Sequence, residues 1–250
     1  MNAMRAFLRL TGIEILLYLR EPVAAFFTFA FAPLMLILFG LIFGNEPRPF
    51  YGGRGMVDIS VPAYLGMIIA TVGLISTPIA TAAGRELKVL KRFRATPLSP
   101  WIYMAAQIVT YYLVALLGGV ALGICGRLLF GMRFDGNPLW VWIGFTVSTL
   151  AFISLGFLIA AVVPTARTAQ AVGMILAFSL MALGGTWVPL ELLPASVRPI
   201  SEGLPLTRVV LLMRGLWAGA SLEAHGKDLG VLLATLVGSG ILAARWFRWE

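Results

Sequence analysis

Five cations fall within ten positions of one short stretch: Arg85, Lys88, Lys91, Arg92 and Arg94. Guanidinium and ammonium groups this close make charge-assisted hydrogen bonds to carboxylates or phosphates. At about 100° per residue, Arg85, Lys88, Lys91 and Arg92 share one side of a short helix. Leu87, Val89, Leu90 and Phe93 share the other, interrupted by Glu86. Thr96 precedes Pro97, which disfavours continuing the helix. Ser99 can then cap the next one, with Pro100 at its first position, where no donor is lost. A loop that only fixes topology or touches anionic headgroups accounts for the charge. It has little use for an apolar face. A helix seated in a partner's groove needs both faces.

Other side-chain chemistries are missing. No H-E-x-x-H, G-x-S-x-G or paired intramembrane carboxylates occur, so hydrolysis lacks its usual parts. A phosphate loop needs G-x-x-x-x-G-K-[ST]. The nearest text, "GASLEAHGKD" from Gly219, has too long a gap and puts Asp228 where a hydroxyl should reach magnesium. The sole histidine, His225, reads as a solvated loop residue. The sole cysteine, Cys125, lies in an apolar run and allows neither an intramolecular disulfide nor a Cys-rich metal site. The chain is therefore expected to be a non-enzyme that binds no cofactor itself. Any energy for work would come from another chain.

What must position the basic stretch is a set of membrane helices. The chain is 60% hydrophobic and 12% charged, with a mean hydropathy of +0.92. An average globular sequence carries about twice that charge, so the bilayer is the solvent. A span needs about 20 apolar residues. Five runs qualify: Val23–Gly44, Ser60–Ala83, Trp101–Gly126, Pro138–Val163 and Ala169–Leu190. A sixth, Leu229–Ala244, is extended to 247 by Trp246 and Phe247 at an interface. The first run is too long for a secretory leader and reads as a retained span. No Asp, Glu, Lys, Arg or His falls within the six as drawn, which disfavours an ion-coupled transporter. Leu206–Ala220 is apolar but short, carries Arg208 and Arg214, and reads as re-entrant or interfacial.

Six spans with both termini inside put eleven basic and four acidic residues inside, against eight and seven outside. That agrees with the excess of Lys and Arg on cytoplasmic loops, and the basic pI then needs no nucleic acid. Pro33 and Pro78 lie within spans and favour kinks. Pro189, Pro194, Pro199 and Pro205 break the segment between the fifth and sixth spans into short pieces. Gly119 and Gly123, in "GVALG", permit close helix approach.

Three segments resemble one family in order and spacing. "GRELKVLKRFRATPLSPWIYMAAQIV" is similar to the segment after the second span in ABC-2 type transporter permeases, the membrane subunits of a class of ABC exporters. "YLREPVAAFFTFAFAPLMLILFGLIFG" resembles their first span and its lead-in. "GGTWVPLELLPASVRPISEGLPLTRVVLLMRGLW" resembles their fifth span running into a broken extracellular hairpin. The resemblance implies a single all-α membrane domain over residues 1–250, in the cytoplasmic (inner) membrane. It implies a homodimer, or a dimer with a paralogue, and two separate ATPase subunits. It implies that residues 85–94 are the coupling helix. Arg85, Lys88, Lys91, Arg92 and Arg94 would meet ATPase acids or lipid phosphates beside Glu86, and Val89, Leu90 and Phe93 would pack in its cleft. Thr165 and Arg167 match a second cytoplasmic contact by position. Residues 4–20 match an interfacial helix, although Glu14 lies opposite Arg5, Arg9 and Arg20, where an apolar residue should be.

The hairpin 189–220 would gate the outer end of the path through Pro189, Glu191, Pro194, Pro199 and Pro205. Candidate path residues are Thr28, Tyr64, Thr71, Thr77, Gln107, Thr110, Tyr111, Thr146 and Ser179, with ordinary span packing as the alternative for each. A path without fixed charge suits an amphiphile such as a drug, a lipid or a lipid-linked molecule. The lead-in looks more like drug-exporter permeases than polysaccharide or teichoic-acid exporters. A non-transporting anchor that recruits a soluble partner is the alternative from another class.

Overall fold

In the computed structural model, residues 3–87, 100–187, 190 and 193–246 are described. They form helices, and the one β-bridge among them, Arg48 to Arg54, closes a loop. In chain order the helices are α1 (Ala3–Leu19), α2 (Pro22–Phe43), α3 (Met56–Glu86), α4 (Pro100–Phe130), α5 (Pro138–Val162), α6 (Ala166–Leu183), α7 (Arg198–Gly203), α8 (Pro205–Trp217) and α9 (Gly226–Trp246). Six of them, α2 to α6 and α9, are long and apolar enough to cross a membrane. The chain is an all-α polytopic membrane protein.

Several spans outrun their apolar runs, α3 and α4 among them. α3 has 31 residues, and so has α4. Both carry ionisable residues in their end turns: Asp58 in the first turn of α3, Arg85 in its last, Arg127 in the last turn of α4. The apolar runs themselves hold no such groups, which enter only where the helices continue beyond them. Carboxylates are stabilised at helix N-termini and cations at C-termini, so helices continue past the apolar boundary. Asp58 is also almost fully buried. Its carboxylate accepts from Gly55 N at 3.1 Å, Asn45 Nδ2 at 3.0 Å and Arg133 N at 2.8 Å, tying together two loops at one end of the bundle. α6 is shorter than expected. It stops at Leu183, where Gly184 and Gly185 (φ +82°) turn the chain, instead of running to residue 190.

α3 is the central helix, buried along nearly its whole length. It packs against α2, α4, α5, α6 and α8. Its Pro78 lacks an N–H and would press its ring on the carbonyl of Leu74. The helix widens to π geometry over Thr71–Ser76, and α2 does the same over Phe26–Phe31 ahead of Pro33. Both wide stretches end two residues before the proline, so the expected kinks take the form of π-bulges, a recognised cause of bent helices.

Carbonyls in the wide stretch of α3 are met by glycines. A Cβ on Gly156 of α5 would fall 2.1 Å from Gly73 O, and one on Gly173 of α6 would fall 2.1 Å from Leu74 O. The Leu74 carbonyl is the one Pro78 leaves without its helical donor. Close Cα–H···O contacts of this kind recur at helix–helix interfaces. Gly156→Ala and Gly173→Ala are each expected to cost about 1–3 kcal/mol by overpacking, because the obstacle is backbone and cannot rotate away. Thermal unfolding in detergent checks this, and an unchanged midpoint for either variant would show that the helices have room to part.

α1 lies along α4. Thr110 Oγ1 donates to Thr11 O at 3.4 Å, and Tyr18 and Tyr111 meet edge to face at 6.0 Å. Met4, Leu8, Ile13, Leu16 and Leu17 point outward, as do Arg5 and Arg9. Glu14 is half-buried on the packed side, and burial pushes its carboxyl above the usual carboxylate range.

Candidate functional site

The basic stretch begins differently from its sequence expectation. Lys88, Val89, Leu90, Lys91, Arg92, Phe93 and Arg94 lie outside the described residues. Arg85 and Glu86 belong to the last turn of α3 and do not open a separate helix, which corrects the boundary at residue 85. The physical reason is a bracket across two helix ends. Arg85 Nη1 donates to Ala160 O at 2.9 Å, and Nη2 donates to Val163 O and to Pro164 O, the latter at 3.1 Å. These carbonyls end α5, where a helix has no internal donors left and where a cation is favoured by the dipole. Glu86 Oε1 accepts from Ala166 N at 2.8 Å, the opening N–H of α6. Arg85 is thus committed within the chain and is not a free docking cation.

Thr165 is likewise used internally. It is the N-cap of α6, and its hydroxyl accepts from Thr168 N at 3.1 Å. Arg167, the second residue of α6, is exposed. The bracket therefore fixes the root of the basic stretch to the α5–α6 junction that displays Arg167.

Seven of the nine candidate path residues are sealed inside the chain. Thr28, Tyr64, Thr71, Thr77, Gln107, Thr110 and Tyr111 are each at most 3% exposed. Several find internal partners: Thr28 Oγ1 with the Tyr18 hydroxyl at 2.7 Å, Thr77 Oγ1 to Val72 O at 2.8 Å, and Gln107 Nε2 to the Tyr103 hydroxyl at 2.8 Å. They satisfy polar groups in the core and line no surface of the protomer. Thr146 is partly exposed but is held by Trp142 O at 2.8 Å and the Tyr112 hydroxyl at 3.0 Å. Ser179 alone lies on an open face, on α6.

Phe178, the residue before Ser179 on α6, belongs to a feature missed in the sequence. Phe26, Phe27 and Phe31 of α2 cluster, Phe27 meets Phe178 of α6 at 6.4 Å, and Phe178 meets Trp187 at 5.8 Å. Phe26 and Trp187 remain exposed. The signal was present in "FFTFAF", whose aromatic residues are too dense for one lipid-facing stripe.

Between the fifth and sixth spans, Pro194 leads into the turn before α7 and its carbonyl accepts from Val197 N, Pro199 is the second residue of α7, and Pro205 opens α8. Pro189 and Glu191 lie outside the described residues. α8 is inserted against α3, α5 and α9, with Leu206, Val209, Val210, Leu212, Met213 and Leu216 buried. His225 is not a solvated loop residue. Its Nδ1 lies 2.9 Å from Asp228 Oδ2, and its ring fills the space left by Gly215, where a Cβ would fall 1.8 Å from Nε2. Asp228 Oδ1 accepts from Arg208 Nη1 at 3.2 Å, and Arg208 Nη2 donates to Glu202 O. Among the described residues no group of His, Cys, Asp and Glu is arranged to hold a metal ion.

Comparison with known proteins adds two findings. The ABC-2 type transporter family matches residues 5–216. A protein of Bacillus subtilis (strain 168) named "Putative transport permease YvfS" is 26% identical over 155 residues, covering 60% of this chain and 59% of that relative's length.

Proposed function

Since the chain belongs to the ABC-2 type transporter family, we propose that it is the permease subunit of an ATP-driven exporter for an amphiphilic substrate. A family of this kind works with an ABC ATPase. In this reading two ATPase copies, carrying ATP and Mg, serve a dimer of this chain or of this chain with a paralogue. The termini and the basic stretch face the cytoplasm, in line with the charge asymmetry of the loops. ATP-driven closure of the ATPase pair pushes the basic stretch, and the spans rock to expose the path alternately to the two sides.

The single observation that carries this reading is the bracket of Arg85 and Glu86. A force applied at residues 88–94 reaches α3 directly through the chain. Through the bracket it also reaches α5 and α6. The path is assigned to the aromatic face of α2 and α6 around Ser179, where two copies of the chain could enclose it, in place of the seven buried polar residues. An apolar, aromatic wall accepts the acyl or ring portion of an amphiphile without supplying a fixed charge.

The test is co-purification with the ABC ATPase of the neighbouring gene, for the wild type and for Lys88→Glu/Lys91→Glu/Arg92→Glu. Reversal of three cations is expected to abolish retention of the ATPase while membrane insertion survives. Equal retention by both proteins would move the docking surface elsewhere. Absence of any ATPase from the wild type would sink the permease reading.

A further inference from the structure

α4 and α5 part toward the end of the bundle farthest from Arg85, leaving a lateral groove of about 690 Å³. Leu116, Val120 and Ile124 of α4 form one wall, and Val141, Trp142 and Phe145 of α5 form the other. The glycines of α4 explain its depth. A Cβ on Gly119 would come within 3.0 Å of Leu65 Cδ2 at the floor, whereas one on Gly123 would meet nothing within 4 Å. Gly123 therefore permits no helix contact and leaves open space. The groove's volume falls within the range of about 300–1,000 Å³ common for small-ligand sites.

Its mouth is cationic. Arg127 lines it and gives Nη1 to Met132 O at 2.8 Å. Arg127 and the nearby exposed Arg133 form no ion pair among the described residues. Asp135 is paired with Arg54 at 2.9 Å, and Asp58 is enclosed by three donors. Phe134 and Trp217 meet edge to face at 4.8 Å beside it, and Trp217, whose indole N–H donates to Arg133 O at 3.2 Å, is of the type found at headgroup level.

We propose that this groove is a binding site for one anionic phospholipid of the leaflet opposite the basic stretch. An acyl chain lies over Gly123 between α4 and α5, and the phosphate sits at the guanidinium of Arg127. Charge complementarity selects this occupant. Another apolar helix would fill the walls but leave two cations at the mouth without a counter-charge, and a zwitterionic lipid would bring its phosphate together with a choline cation that adds to the positive charge there. A guanidinium makes a bidentate pair with phosphate and supplies geometric as well as electrostatic selection. The site is separate from the aromatic face assigned to transport and needs neither ATPase nor ATP.

The test uses the full chain in nanodiscs of phosphatidylcholine with a minor fraction of phosphatidylglycerol. Lipid retained after detergent extraction is measured by native mass spectrometry, alongside thermal unfolding and the mass of the oligomer. Wild type is expected to retain phosphatidylglycerol selectively. Arg127→Gln and Gly123→Leu are each expected to retain about tenfold less, the first by removing the charge and the second by filling the groove. Gly123→Leu meets no atom at Cβ and puts a better helix former in a helix, so folding survives it. Equal retention of the two lipids by wild type, or undiminished retention by both variants, overturns the proposal. A change of oligomer mass in Gly123→Leu would also overturn it, by showing that a second copy of the chain covers this face.

Discussion

Arg85→Ala is expected to leave the ATPase bound and to cut ATP-driven transport about tenfold, the equivalent of about 1.4 kcal/mol in the barrier. The basic face that would meet the ATPase lies beyond Leu87, and Arg85 does not belong to it. What Arg85 holds is the end of α5, through three carbonyl oxygens of residues 160, 163 and 164. Hydrogen bonds from charged groups contribute about 1.5–3 kcal/mol each, less where water competes, as it does at this partly exposed site. Loss of the bracket leaves α3 moving with the basic stretch while the α5–α6 junction lags. The charge reversal at Lys88, Lys91 and Arg92 should lose docking and transport together, so the pair of variants separates grip from transmission. Arg85→Lys keeps a cation at the helix end but lacks the planar fork that spans three carbonyls, and its transport should fall between wild type and Arg85→Ala. Transport at the wild-type rate in Arg85→Ala would reduce the bracket to a helix cap.

The architecture was legible because it rests on hydrophobic run length, and the six spans coincide with six apolar runs. Helix ends were less legible. Asp58, Arg85 and Arg127 look like boundaries in composition, yet each sits inside a helix because its charge suits that terminus. The proline positions predict kinks, but the packing of the Thr71–Ser76 bulge carbonyls on Gly156 and Gly173 is a tertiary contact that no local pattern reveals. The path residues show the same limit. Hydroxyls and amides at membrane depth can face a substrate or each other, and here Thr28, Thr77 and Gln107 face internal partners. A partner one helical turn away, as Tyr103 is from Gln107, is open to inspection in the sequence, but a distant one is not. Tyr18 and Ser76, 58 residues apart, meet at 3.2 Å.

Asp228→Ala should destabilise the protein by about 3–5 kcal/mol, because it strands Arg208 as a buried charge without its carboxylate. Arg208 and Asp228 side chains are each only 10% exposed, and His225, at 18%, closes the other carboxylate oxygen. Arg208→Ala should cost a similar amount by stranding Asp228. The double variant Arg208→Met/Asp228→Leu removes both charges and keeps apolar volume, and exchanges of this kind are often neutral or stabilising. Its unfolding midpoint should therefore return close to the wild type, while each single variant falls by about 10 °C. Transport should return with it. α8 is gripped on three sides by α3, α5 and α9, and its buried leucines and valines cannot leave that site in each cycle. The ion pair then acts as a staple that sets the register of α8 against α9, not as a latch that opens. A double variant with full stability and no transport would make it a moving latch. One as unstable as the single variants would mean that this pair of charges, and not the volume it fills, holds the hairpin in place.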